Sequence, residues 1–234
     1  MVLHPVLRMH FCVDWVPTIG GRRSAVIKRA NSEQKYNLSF TTGNLFIKES
    51  VIFAELYLKL ADWQLVRDEA RTHNLLQQRT LISARKVSAS VIKRLKCLSH
   101  DELSYLVDAT PLERGYLLWL AACLDYSFIR DFAVEVVNEY FIQLKPQLSY
   151  DDFDIFFNQK TLWHDELNHI TDSTRIRLRF NLFKMLKDSG LLSTQNTLQS
   201  VLLSPPLATL LSKRHSSAFE IFPIFHRDIK TWLA

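Results

Sequence analysis

Hydrophobic residues recur every three or four positions over most of the chain after Asn37, which is the spacing of amphipathic helices. Residues that favour helix starts precede several of these stretches: Thr41 or Thr42, Asp62, Thr80, Asp172, and the capping boxes Ser99–Glu102 and Thr110–Glu113. The pattern predicts a mostly α, multi-helix bundle, with helices over about 44–60, 63–73, 80–98, 111–124, 127–143, 150–160, 162–169 and 173–188.

The periodicity stops at Gly190, which should end the last long helix. Leu191–Ser193 and Ser200–Leu203 suggest two short strands around a polar turn. Ser204 then precedes two prolines and a short helix that reaches about Leu211. Helix, hairpin and helix in this order predict a small C-terminal β-hairpin of winged-helix type.

The chain divides into three predicted parts. Residues 1–35 hold six bases against two acids and have weak periodicity, so we expect a poorly packed basic arm. Residues 36–145 form an N-terminal helical domain. Residues 146–234 form a C-terminal helical domain with the small β element, and the boundary lies at Pro146 in an acid-rich link.

Composition narrows the fold and the location of the protein. Five glycines in 234 residues are few for an all-β fold, which needs many special turns. The longest uninterrupted apolar run in the middle of the chain has nine residues, Tyr116–Leu124, against the roughly 20 that a spanning helix needs. We therefore expect a cytoplasmic protein that does not contact a membrane.

Charge is sorted along the chain. Ala70–His100 holds seven bases and no acid, Asp101–Asp172 holds fourteen acids and four bases, and Ser173–Lys187 again holds five bases and no acid. A compact fold does not require such sorting, whereas the field it creates attracts a polyanion.

The predicted helix 80–98 presents the first basic stretch. At about 100° per residue, Leu81, Ala84, Ser88, Val91, Leu95 and Leu98 share an inner face. Three cations lie on the opposite face, Arg79, Lys86 and Lys93, and Arg85 and Lys96 flank them. Helix surfaces commonly mix signs, so this face predicts contact with nucleic-acid phosphates; a merely solvated face is the alternative.

Helix 173–188 adds Arg175, Arg177 and Lys184 to the candidate site. Its apolar residues fall on two sides, which predicts burial between neighbours. Free amides at its N-terminus also favour a phosphate. The alternative is that an arginine here pairs with acids of the middle segment.

Catalytic signatures are absent from the sequence. There is no GxxxxGK[ST], GxGxxG or GxSxG. His164 and His169 stand five apart, which places them on different helix faces, and the three cysteines are widely spaced. We expect a non-enzyme with no catalytic residue, no metal and no cofactor.

Several runs of residues, in order, resemble the BrxA family of the BREX phage-defence systems of bacteria. The similarity extends over about 36–211 and is carried by Tyr36–Gly43, Glu49-Ser50, Ala54–Tyr57, Trp63, Tyr116–Ala121, Phe128–Ala133, Tyr150–Asp154 and Ile170–Arg175. The resemblance implies a helical, NusB-like fold, duplex-DNA binding and other defence proteins as partners. It supplies no catalytic residue and no DNA-contacting position.

Charge and resemblance together predict a non-catalytic duplex-DNA-binding accessory of a BREX system. Two alternatives stay open: a subunit that assembles the defence complex, and an RNA-binding NusB-like protein. The predicted phosphate contacts rest on charge alone: Arg79, Arg85, Lys86, Lys93, Lys96, Arg175, Arg177 and Lys184.

Overall fold

The structure is a computed structural model that describes residues 35–40, 44–214, 216–225 and 227–229. It is mostly helical, as the sequence predicts. The π-helical segment Ala133–Asn138 joins the helices Ser127–Phe132 and Glu139–Ile142, and a 3₁₀ turn covers Ser216–Phe219. The α-helices are α1 (Ile47–Leu60), α2 (Trp63–Thr72), α3 (Leu81–Leu95), α4 (His100–Asp108), α5 (Pro111–Asp125), α6 (Ser127–Phe132), α7 (Glu139–Ile142), α8 (Tyr150–Lys160), α9 (Asp165–Asn168), α10 (Asp172–Asp188) and α11 (Pro205–Ser212).

Side-chain caps begin many of these helices at the residues that the sequence indicates. In each case a side-chain oxygen accepts a hydrogen bond from an amide of the first turn, which has no partner within the helix. The confirmed caps are Asp62, Thr80, Ser204, and the capping boxes Ser99–Glu102 and Thr110–Glu113.

Two predicted caps have other outcomes. Helix α10 is capped by Thr171, whose hydroxyl accepts from the amide of Thr174, so the expectation for Asp172 is one residue late. The candidates Thr41 and Thr42 lie outside the described residues. Helix α1 instead follows Phe46, which has a left-handed backbone and makes no side-chain cap.

Helix α5 forms the centre of the core, and its residues from Gly115 to Cys123 are all buried. The indole N–H of Trp119 donates to the carbonyl of Ile221 at 3.0 Å. A Cβ atom on Gly115 would lie 3.0 Å from backbone atoms of Ser189, so the glycine permits the close approach of the α10 C-terminus.

The first described residues are attached to the core through Tyr36. Its ring stacks on His164 with centroids 3.9 Å apart, and its hydroxyl donates to Asp131 at 2.7 Å. Burial, followed by the nearby Asp131 carboxylate, raises the pKa of Tyr36 well above its ordinary value. Tyr36 therefore remains a neutral hydrogen-bond donor that links residues far apart in sequence.

The predicted C-terminal β-hairpin is wrong. Residues 191–203 form no strand, and their pairing is limited to two isolated bridges, Gln147↔Thr197 and Leu192↔Leu198. The amide of Leu198 donates to the carbonyl of Pro146, outside the expected hairpin. The segment packs through buried leucines instead of building a ladder, so a winged-helix element is not present there.

One hydrophobic cluster contains residues from both sides of the predicted boundary at Pro146, for example Trp119 and Leu182. The described residues belong to one compact unit. The division into domains at residue 146 stays a prediction. None of the described helices is long and apolar enough to cross a membrane.

Because the chain has few glycines, other residues adopt the left-handed backbone at several turns. Several non-glycine residues adopt the left-handed backbone, among them Ala61 at the end of α1 with a φ of 53° and Asn74 after α2 with a φ of 46°. A Cβ atom makes this conformation unfavourable by about 1–2 kcal/mol.

Replacing Ala61 by glycine should therefore stabilise the fold. We expect Ala61→Gly to raise the free energy of unfolding by about 0.5–1 kcal/mol, because relief of the left-handed strain exceeds the entropy that glycine loses on folding. Ala89→Gly, inside α3 and also exposed, is the matched control and should lower stability by about 1 kcal/mol. Urea unfolding checks both values; a loss in both variants would contradict the prediction.

Candidate nucleic-acid interface

Helix α3 contains most of the first basic stretch, and only its C-terminal half is packed firmly into the core. Val91 and Leu95 are buried as predicted, whereas Leu81 is 69% exposed and does not belong to the inner face. The buried Arg94 donates to the carbonyl of Asn44 at 2.7 Å and is therefore structural. The N-terminal half of α3 is correspondingly open to solvent.

The five predicted cations around α3 are all exposed, but they are not equivalent. The Nζ of Lys93 lies 2.7 Å from Oδ1 of Asp125, whose side chain is only 6% exposed, and 4.9 Å from the centroid of the Tyr126 ring. The Lys93 ammonium group thus neutralises the carboxylate of Asp125, which is largely shielded from water. In the described part of the chain the other four form no ion pair: Arg79, Arg85, Lys86 and Lys96.

A groove between α2 and α3 is lined by arginines from both helices and from the segment that joins them. Its volume is about 600 Å³, and its lining contains Arg67, Arg71, Arg79 and Arg85 but no acidic residue. Arg79 and Arg85 belong to the predicted site. Arg71 makes an exposed ion pair with Asp68 at 3.2 Å, an interaction that contributes little in water. Four guanidinium groups therefore line one cavity.

Helix α10 places its three predicted residues differently. Arg175 donates from Nε to Oδ1 of Asp154 at 2.9 Å, and Arg179 pairs with the other oxygen of the same carboxylate. The ion-pair alternative is therefore realised at Arg175. Arg177 and Lys184 are exposed. None of the α10 residues belongs to the lining of the arginine groove.

The apolar faces of α10 also differ from the prediction. Leu178, Leu182 and Phe183 are buried, but Ile176 is 53% exposed and Phe180 is 61% exposed. The expectation that α10 is buried on both sides is therefore wrong on this face. Helix α8 and the core cover one side, while Ile176 and Phe180 lie beside Arg177 on the solvent side.

The histidines considered in the sequence have structural contacts. His164 is buried against Tyr36, and its Nδ1 lies 3.2 Å from Oε1 of Glu166. His169 is bonded through Nδ1 to the carbonyl of Asp165. Among the described residues, no group of three or more His, Cys, Asp or Glu side chains is arranged to hold a metal ion.

Comparison with known proteins identifies the family. The BrxA family model matches residues 34–215. The chain belongs to the BrxA family. A curated relative from Escherichia coli O9:H4 (strain HS), named BREX protein BrxA, is 30% identical over 173 residues, or 73% of this chain and 81% of the relative. A relative of the same name from Paramagnetospirillum magneticum is 23% identical over 186 residues, or 79% of this chain and 94% of the relative.

A solved structure supports the fold of this BrxA family member. The crystal structure of an uncharacterized protein from Magnetospirillum magneticum matches with a TM-score of 0.71 and 22% sequence identity. The match covers 81% of this chain and all of that chain. The likeness concerns the fold alone.

Sequence reasoning missed two groove arginines in this member of the BrxA family. Arg67 and Arg71 both lie on α2, outside the helix that carried the prediction. The signal for Arg71 was available, since it belongs to the acid-free stretch that starts at Ala70. Arg67 has acidic neighbours in sequence, and only the packing of α2 beside α3 places it in the groove.

The ion pairs of Asp154 with Arg175 and Arg179 predict that these arginines stabilise the fold, whereas exposed arginines of α10 do not. Asp154→Asn should lower the free energy of unfolding by about 2 kcal/mol, because two partly buried guanidinium groups lose a charged acceptor. Arg177→Gln, on the exposed face of α10, should change it by less than about 0.5 kcal/mol. Chemical denaturation measures both; equal effects would contradict the assignment.

Proposed function

We propose that this chain is a non-catalytic component of a BREX phage-defence system and that it binds duplex DNA through the exposed cations around α3. The observation that supports the proposal is the group Arg79, Arg85, Lys86 and Lys96, which is exposed and forms no ion pair in the described structure. Membership of the BrxA family, whose relatives carry the name BREX protein BrxA, supports the role in defence.

Phosphate capture explains the chemistry of this surface. Lysine and arginine side chains that neutralise phosphates release counterions from the duplex, which makes binding depend steeply on salt. Such contacts set position and orientation without reading the sequence. Because the fold lacks the expected winged element at residues 191–203, the proposal assigns low sequence preference to this protein.

Lys93 is not suited to a charge-reversal test. Glutamate at this position would lie beside the shielded Asp125 and would destabilise the fold through like-charge repulsion. Lys86 and Lys96 avoid this problem because both are exposed and unpaired in the described structure. Lys48 and Lys59 on α1 are also exposed and provide a control with the same change in net charge.

The test is fluorescence anisotropy with a labelled duplex of about three helical turns over a series of salt concentrations. We expect Lys86→Glu/Lys96→Glu to weaken binding at least about tenfold and to reduce the log–log salt slope by about two, because two phosphate contacts are lost. Lys48→Glu/Lys59→Glu should retain most of the affinity. Absence of duplex binding at low salt, or equal losses in both variants, would overturn the proposal.

A second candidate function is assembly of the defence complex, and the exposed face of α10 favours it. Ile176 and Phe180 are large apolar side chains left in solvent, which is a feature of protein-binding surfaces. Ile176→Ser/Phe180→Ser should then prevent association with other proteins of the system while duplex binding is unchanged. Retained association together with lost duplex binding would favour the DNA role alone.

RNA binding is the remaining alternative, in keeping with the NusB-like fold that stays a prediction. An A-form duplex displays its phosphates with different spacing and adds 2′-hydroxyl groups. Competition between duplex DNA and duplex RNA of equal length distinguishes the two. Under the DNA proposal, we expect the DNA to displace RNA at lower concentration.

A further inference from the structure

The arginine groove between α2 and α3 has the size of a site for a small ligand. Its volume of about 600 Å³ falls in the range of about 300–1,000 Å³ that is typical of such sites. A DNA duplex is far larger than this cavity and can only lie across its mouth. The groove can enclose a smaller unit that a flat basic face cannot.

The charge of the groove selects the chemical class of the ligand. Every charged residue in the lining is an arginine, and Asn74 and Gln78 add side-chain amides. A planar guanidinium group binds phosphate oxygens through two parallel hydrogen bonds and also stacks on flat rings, neither of which a lysine does well. Four such groups without an acid favour a phosphorylated ligand.

Apart from Ser88, the remaining lining is aliphatic, which an inorganic anion would not require. Ala70 and Leu76 are buried, while Leu81 is exposed beside them. Ala84 and Ala89 on α3 leave space where larger side chains would fill the groove. Aliphatic surface next to guanidinium groups suits a planar base that is attached to a phosphate.

We propose that the α2–α3 groove binds one nucleotide unit, with its phosphates on the arginines and its base against the aliphatic lining. This site shares Arg79 and Arg85 with the proposed duplex surface, but it takes a different ligand and does not require duplex binding. Lys86 and Lys96 are not part of the lining, and Lys86 lies about 100° around α3 from Arg85. A free nucleotide and the phosphorylated end of a single strand offer the same chemistry.

Isothermal titration of the full chain with ATP, adenosine and tripolyphosphate tests the ligand class. We expect ATP to bind in a 1:1 ratio, adenosine not to bind, and tripolyphosphate to bind at least about tenfold more weakly than ATP. Equal affinity for tripolyphosphate and ATP would reduce the groove to a general anion site and overturn the proposal. Absence of ATP binding would overturn it as well.

Three variants locate the site. Arg79→Gln/Arg85→Gln should weaken ATP binding at least about tenfold, and Lys86→Gln/Lys96→Gln, with the same charge change outside the groove, should alter it less than about twofold. Ala89→Trp fills the groove without a change of charge and, at an exposed position, should leave the fold intact. It should abolish ATP binding and preserve duplex binding, so failure of the groove proposal is distinguishable from failure of the duplex proposal.

Trinucleotides with a 5′-phosphate or a 5′-hydroxyl identify the source of the nucleotide unit. If ATP binds, binding of the 5′-phosphorylated strand but not of the 5′-hydroxyl strand, lost in Ala89→Trp, shows that the groove also accepts strand ends. If that strand also displaces ATP, free nucleotides and strand ends bind at the same groove. ATP binding that survives in Ala89→Trp, or that falls equally in the lysine control, places the ligand elsewhere and overturns the proposal.

Discussion

Burial of helix α5 is the constraint on which the remaining helices depend. A helix that is buried along most of its length must be surrounded, so its neighbours are placed by the need to cover it. Gly115 lets the end of α10 approach the backbone of α5, and Trp119 attaches the chain near Ile221. The positions of the basic helices follow from this arrangement, because α3 and α10 both pack against α5.

Opposite charges from distant segments meet between the packed helices. Asp125 binds Lys93, Asp154 binds Arg175 and Arg179, and the buried Glu102 binds Arg214. The acidic middle of the sequence therefore neutralises part of the basic segments on both sides of it. The cations of α3 that are left over, together with the arginines of α2, form the surface potential on which both proposals rest.

Features governed by neighbouring residues could be predicted from the sequence, and features governed by distant contacts could not. Caps such as Ser99–Glu102 need only local geometry and were predicted correctly. The β-hairpin prediction is wrong because the loss of helical periodicity after Gly190 does not reveal that the amide of Leu198 bonds to the carbonyl of Pro146. Arg67 was missed because its approach to α3 is a tertiary contact, and charge periodicity alone could not show that Asp125 neutralises Lys93.

The two classes of cation respond differently to dissolved ions. Small ions reach an exposed side chain such as Lys86 and screen it within a Debye length of about 8 Å at physiological ionic strength. Small ions approach the pair of Glu102 and Arg214 far less readily, because the Glu102 carboxylate is buried. A rise in ionic strength therefore screens the exposed cations while the buried ion pairs persist. The attraction for a polyanion weakens, and the packing of the helices is kept.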